Sequence, residues 1–215
     1  MKRACAVAAI ALILPAVACG PKSPDYQSIW STTPTTTTTT TRVEKPVPLS
    51  QYLQNIGVTG QQVAPGNLPD LTVSIPTPPG WTAASNPHIA PETLMLSKGG
   101  KYPTARLVVF LLRGDFDPAQ VIQHGNDDAQ LFENFKQLDA STTPYNGFPS
   151  SMIQGSYDLD GTRLHSFNRI VIATGSSPAH QRYLVQLTIT GLANQAVEQS
   201  TDIETIMRGF VVAAK

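Results

Sequence analysis

The side chains able to do chemistry in this 215-residue chain are few and far apart. Its four histidines are His88, His124, His165 and His180, and none lies within four residues of another. The H-x-x-x-H and H-E-x-x-H spacings, which set two imidazoles on one helix face for a zinc ion, are therefore absent. The two cysteines, Cys5 and Cys19, rule out a four-thiolate metal site and a disulfide-dense scaffold. No G-x-S-x-G nucleophile elbow occurs. Gly155-Ser156 falls in an expected strand, and Gly175-Ser176-Ser177 in an expected hairpin loop. Lys98-Gly99-Gly100-Lys101 lacks the spacing and the following helix of a phosphate loop, and reads as a turn. Asp158-Leu159-Asp160-Gly161 lacks the third ligand and distal glutamate of a calcium loop, and reads as a hairpin. Asp115, Asp117, Asp127 and Asp128 form the densest acidic stretch. They read as loop charges and helix caps rather than as a glycosidase carboxylate pair. No catalytic residue, metal site or cofactor is expected from these positions.

Charge excludes another class. Lys+Arg is 15 and Asp+Glu is 15, so no basic stripe for nucleic acid is expected. Arg163, Arg169 and Arg182 lie on neighbouring expected strands and read as a solvated sheet face. Trp81, Tyr102, Phe116, Tyr145 and Phe148 fall in or near expected loops. Aromatics so placed serve as binding anchors or as lids over the ends of a core, and lids are the simpler reading.

The N-terminus is more informative. Lys2 and Arg3 precede an uncharged apolar run, Ala4 to Leu14, and Pro15 leads into the small residues before Cys19. This is the layout of a secretory signal peptide over residues 1–18. The run has 11 residues, against about 20 for a membrane-spanning helix. Two processing routes cut at the same bond. One is a bacterial lipobox that leaves an acylated Cys19 as first residue; the other is ordinary secretion at Ala16-x-Ala18. The lipobox usually has a larger aliphatic residue where this chain has Ala16. Against that, Cys19 is the only cysteine left once the signal is removed, and a lone thiol in an oxidising compartment is a liability that acylation removes. Lipid attachment at Cys19 is the favoured reading. It places the protein on the outer face of the cytoplasmic membrane or elsewhere in the envelope.

Residues 19–48 read as a flexible tether. Its centre holds Thr35, Thr36, Thr37, Thr38, Thr39, Thr40 and Thr41 in one run. Such a segment cannot bury enough apolar surface to offset its ordering entropy. The same composition suits an O-glycosylated stalk and an unmodified spacer.

Residues 49–215 read as one folded domain. Leu49, Tyr52, Leu53 and Ile56 make a helical stripe, with Ser50 as cap and Gly57 as stop. Leu71–Ile75 alternates as a half-buried strand, and Pro78-Pro79-Gly80-Trp81 is a turn. Leu94–Leu96 and Arg106–Leu112 read as strands. Asp117-Pro118 opens a helix whose apolar face starts at Val121 and Ile122; Gly125 can break it and Asp127-Asp128 restart it, and Leu131, Phe132 and Phe135 continue the stripe to about Leu138. Ser151–Tyr157, Arg163–Ala173 and Arg182–Thr190 follow as strands, with Tyr183, Val185, Leu187 and Ile189 on one face. Gln195–Arg208 reads as a closing helix and Phe210–Val212 as a last strand. This order favours an α+β fold, an antiparallel sheet with helices packed on it.

The Cys19 lipobox, the Thr/Pro spacer and Tyr52-Leu53 with Ile56 at the domain's start together resemble the mycobacterial LpqN/LpqT lipoprotein family. Leu71 to Trp81, Gly114-Asp115-Phe116-Asp117-Pro118-Ala119, and Gly147-Phe148 through Gly155-Ser156-Tyr157 are similar to it as well. The resemblance implies a PsbP-like α/β/α sandwich and a non-enzymatic envelope lipoprotein. It brings no catalytic residues. Three functions fit: a binding or adaptor module for an envelope partner, a carrier of a hydrophobic ligand, and an envelope hydrolase with a dispersed site. The first is favoured. A carrier needs an apolar cavity of roughly 300 Å³ or more between sheet and helices.

Overall fold

The computed structural model describes residues 46–215. Its first element is helix α1 (Leu49–Asn55), which buries Leu49 and Leu53 one turn apart. Gly57, at φ 78°, then reverses the chain in the left-handed conformation that glycine adopts at little cost. The expected Ser50 cap is not made: Pro48 holds the cap position, without a side-chain bond. The Leu49 N–H donates instead to Asp128 Oδ2, 3.1 Å away and 79 residues along the chain. A carboxylate suits the positive end of a helix. Ile56 falls outside the buried stripe and is exposed.

The strands are β1 (Thr59–Val63), β2 (Leu71–Ser74), β3 (Thr82–Ala83), β4 (Leu94–Ser97) and β5 (Thr104–Arg113). After the short helices α2 (Pro118–Val121) and α3 (Asp127–Gln130) come β6 (Lys136–Ser141), β7 (Ser150–Leu159), β8 (Thr162–Thr174) and β9 (Arg182–Leu192). Helix α4 (Ala196–Arg208) and strand β10 (Val211–Ala214) close the chain. The main sheet is antiparallel, in the order β3-β4-β5-β9-β8-β7-β6, and β1 pairs with the far half of β5 beside β4. Strands β2 and β10 form a second, two-stranded sheet.

Alternation along β8 and β9 divides the core in two. Tyr183, Val185, Leu187 and Ile189 point to one face, where they pack with Ile203 and Ile206 of α4. Leu184, Ile170 and Ile172 point to the other face and pack with Leu49 and Leu53 of α1. Helices thus cover both faces of an antiparallel sheet, the α+β sandwich expected. Helix α4 follows its sequence: Gln199, Ile203 and Ile206 are buried at helical spacing, and Arg208 lies in the last turn, where a cation suits the helix dipole. The β7–β8 hairpin turns on Asp160 and Gly161, both at positive φ.

The segment after Asp117 departs from expectation. Asp117 does cap α2, accepting the Ala119 N–H at 2.8 Å, but α2 and α3 are each four residues long. No helix runs to Leu138. Residues Lys136–Ser141 form edge strand β6 instead, with a bulge between Gln137 and Asp139. The residues of the expected helical stripe serve singly. The Phe132 ring stacks on Tyr157 at 4.3 Å. The Phe135 ring fills the space above Gly155, where a Cβ would lie 2.4 Å from it. Leu138 is 64% exposed. Strand β1 had no signal in its polar sequence, Thr59-Gly60-Gln61-Gln62-Val63.

The Pro78–Trp81 turn forms, closed by a Trp81 N–H bond to Pro78 O at 3.1 Å. It delivers a buried indole whose Nε1–H donates to Asp202 Oδ2 at 3.0 Å. Lys98 Nζ donates to the same oxygen at 2.7 Å, so the turn after β4 and the Trp81 loop are both fastened to α4. The Lys98 ammonium, and then the indole N–H, hold the Asp202 carboxyl below the usual carboxylate range. Asp202→Ala should cost about 1–2 kcal/mol in urea unfolding near neutral pH, because a buried donor loses its acceptor. A group whose folded pKa is lowered contributes above the ordinary range and loses that contribution as pH falls through the folded value. The difference between variant and parent should therefore shrink by about pH 3; an equal difference at both pH values would show that the charge contributes nothing.

Candidate functional site: a cleft between α1 and the sheet

Helix α1 does not close completely on the sheet. Between them lies a cleft of about 670 Å³. Its floor comes from the face of the sheet opposite α4: Phe110 and Leu112 of β5, Leu184 and Gln186 of β9, and Ile170 of β8. Its wall is Leu49, Ser50, Leu53 and Gln54 of α1. Val58, Thr59 and Gly60 line its side. Gly60 is part of why the space exists, since the strand presents no side chain toward Phe110 there.

The floor grades from apolar to polar. Leu184 and Ile170 are buried. Two residues further along β9, Gln186 Nε2 donates to Asn168 Oδ1 at 2.9 Å, and Thr188 Oγ1 donates to the same oxygen at 2.9 Å. The lining also holds Asp128, its only ionisable residue. Burial is the main influence raising its carboxyl above the usual range; the Leu49 N–H opposes it and the Asp127 charge adds to it. An apolar trough with amides to one side and one committed carboxylate is a surface for holding a molecule.

The histidines lie apart. His124 stacks on Tyr52 at 3.8 Å and contacts Asp127 Oδ2 through Nδ1 at 3.0 Å, which fixes the outer side of α1. His165 contacts Gln154 at 2.9 Å, and burial pushes its pKa down. His180 contacts Gly175 O, and His88 sits in the exposed loop before β4. Among the described residues no three His, Cys, Asp or Glu side chains come together as metal ligands. Gly155-Ser156 is mid-strand in β7. Lys98 to Lys101 forms a turn with Gly99 and Gly100 at positive φ. Trp81 and Phe116 are buried as lids, while Tyr102, Tyr145 and Phe148 are half-buried.

The three arginines do not share a face. Arg163 and Arg169 point to the α4 side of β8, whereas the pairing Thr174↔Arg182 sets Arg182 on the cleft side. There its guanidinium covers the Phe116 ring and donates to Phe116 O at 2.8 Å. The strand period decides the face, and 182 is even where 163 and 169 are odd. Cys19 and the Thr35–Thr41 run lie outside the described residues. No helix among the described residues is long and apolar enough to cross a membrane.

Residues 45–213 match the family model described as "Probable lipoprotein LpqN". The chain belongs to the LpqN/LpqT lipoprotein family. It is 71% identical to the lipoprotein LpqT of Mycobacterium leprae, over 98% of this chain and 95% of that protein. It is 63% identical to LpqT of Mycobacterium tuberculosis (strain H37Rv), over 99% of this chain and 94% of that protein. The crystal structure of LpqN of Mycobacterium tuberculosis, a protein described as involved in cell envelope biogenesis, superposes with a TM-score of 0.66. That match covers 78% of this chain and 98% of LpqN at 19% identity, and it shows the fold. The family expected from the sequence is the one found.

Proposed function

We propose that this LpqN/LpqT-family chain is a non-catalytic lipoprotein of the cell envelope, held there through acyl chains on Cys19, whose folded domain binds an envelope partner. The observation that carries this reading is the α1 cleft. Its lining offers area for contact and a single ionisable group, whereas general acid–base work needs at least a positioned proton donor or acceptor facing a reactant. Asp128 is already committed to the Leu49 N–H. The envelope role of LpqN agrees with the placement.

The cleft favours one form of binding, carriage of a hydrophobic or amphipathic small molecule. Its volume of about 670 Å³ falls within the range of ligand sites. Native mass spectrometry of the chain purified from its own envelope tests this. Extra mass that leaves as a lipid supports the carrier. A bare monomer mass removes it and leaves surface recognition, to be followed by crosslinking in the intact envelope.

The anchor has its own test. Two acyl chains give stable membrane attachment where one does not. Cys19→Ala should therefore shift nearly all of the protein from the membrane fraction to the soluble fraction on immunoblots. Retention of the variant with the membrane would overturn attachment through Cys19.

A further inference from the structure

On the face of the sheet away from the cleft, Arg169 stands without a counter-ion among the described residues. Its guanidinium carbon lies 4.7 Å from the centre of the Tyr145 ring and 5.8 Å from that of Phe167. Nη1 donates to Ser150 Oγ at 3.1 Å, its one hydrogen bond among the described residues. Among the described residues no carboxylate lies within ion-pair distance of it. The other half-buried or helical arginines are engaged differently. Arg163 pairs with Asp158 at 3.1 Å, Arg208 with Glu204, and Arg182 donates to a main-chain carbonyl.

The platform under Arg169 is built. Tyr145 OH donates to Phe210 O at 2.5 Å, and its ring stacks on Phe210 at 5.3 Å. The backbones of Tyr145 and Phe148 exchange two hydrogen bonds across a turn in which Asn146 and Gly147 both have positive φ. Burial lowers the Arg169 pKa, with the Tyr145 hydroxyl opposing, which marks a cation short of solvation. An arginine needed only to cover a ring would do so with its stem. Here the guanidinium carbon itself lies over the Tyr145 ring, so its side-chain entropy is already spent, and most of its five donors remain for a ligand.

We propose that Arg169 is an oxyanion-binding site, taking a phosphate or carboxylate group edge-on in the fork of its guanidinium. Two parallel charge-assisted bonds to one planar group are the geometry that favours arginine over lysine. The site lies on the opposite face from the α1 cleft and does not depend on the cleft's occupant.

The test is an NMR titration of the full chain in neutral detergent, reading the arginine Nε–Hε resonances. Inorganic phosphate and acetate are added separately, at constant ionic strength set by chloride. One resonance should move and saturate with a midpoint in the millimolar range. The anion with the lower midpoint names the class. Arg169→Lys should delete that resonance and weaken binding, followed through the Tyr145 ring signals, about tenfold or more. Arg163→Lys should delete a different resonance and leave the titration unchanged. Drift without saturation in the parent protein, or an unchanged midpoint in Arg169→Lys, overturns the site. The parent titration decides the matter even if Arg169→Lys fails to fold.

Discussion

Asp70→Ala should lower the unfolding free energy by about 3 kcal/mol, because one buried and one half-buried donor lose a charged acceptor at once. Asp70 is 5% exposed and sits just ahead of β2. Its Oδ1 accepts the Tyr183 hydroxyl at 2.6 Å, and its Oδ2 accepts the Gln181 N–H at 3.0 Å. The Gln181 side-chain oxygen also lies 2.6 Å from the Tyr183 oxygen. The single hydroxyl proton goes to the carboxylate, the charged acceptor. Burial, and then the Asp70 bond and charge, push the Tyr183 hydroxyl far up. The Asp70 main-chain oxygen accepts the Ser176 N–H at 2.9 Å and the Lys215 N–H at 3.3 Å. One residue thus ties the 174–181 loop, the central strand β9 and the C-terminus to the small sheet. Gly175 completes the arrangement: a Cβ there would lie 2.1 Å from Asp70 Oδ2. Gly175→Ala should therefore be costly in the parent chain and nearly harmless once Asp70 is alanine. A double-mutant cycle by urea unfolding should show a coupling of about 2 kcal/mol. Additive losses would mean that the loop accommodates the methyl group without meeting the carboxylate.

Much of this frame is legible in the sequence, for physical reasons. Tyr183, Val185, Leu187 and Ile189 alternate because one face of β9 is core, and they are all buried. Asp160-Gly161 reads as a turn because both positions need positive φ. The Asp117-Pro118 pair reads as a helix start because the carboxylate accepts a free N–H and proline lacks one. Strand β6 is illegible because Leu131, Phe132, Phe135 and Leu138 are spaced as a helix, while Asn134 at φ 51° turns the chain and the ladder with β7 takes over. Strand β1 is illegible because its residues are polar; it is a strand because β5 offers it an edge from Val109 to Arg113. The cleft is illegible for a different reason. Leu49, Leu53, Phe110, Ile170 and Leu184 look in sequence like any core residues, since cavity walls and core share one composition. Only the packing of a short helix that stops short of closing the sheet tells them apart. In the structure Gly60 marks the cleft, as a glycine inside a strand where something can approach closely, but a strand hidden in the sequence hides the meaning of its glycine too.

Gly60→Leu is for that reason the most direct test of the cleft. The position faces the trough from β1, opposite Leu112. A Cβ there would meet Phe110 Cβ at 3.5 Å and Leu112 Cδ2 at 3.6 Å, which is ordinary contact. The φ at Gly60 is not positive, so a larger residue needs no change of backbone. The rest of a leucine side chain would then extend into the space proposed for the ligand. Removing glycine from a strand interior also relieves its entropic cost, by about 0.5–1 kcal/mol. Gly60→Leu should therefore reduce ligand carried through purification about tenfold or more, read by native mass spectrometry, while the thermal midpoint stays level or rises. Loss of a buried floor residue cannot separate these effects, because Leu184→Ala would cost about 2–5 kcal/mol whatever the cleft does. Full ligand retention in a stable Gly60→Leu protein would place the ligand elsewhere on the domain. A loss of ligand that accompanies a lower midpoint would report unfolding instead. The prediction therefore stands on the two readouts together: binding falls, and the fold that shapes the cleft does not.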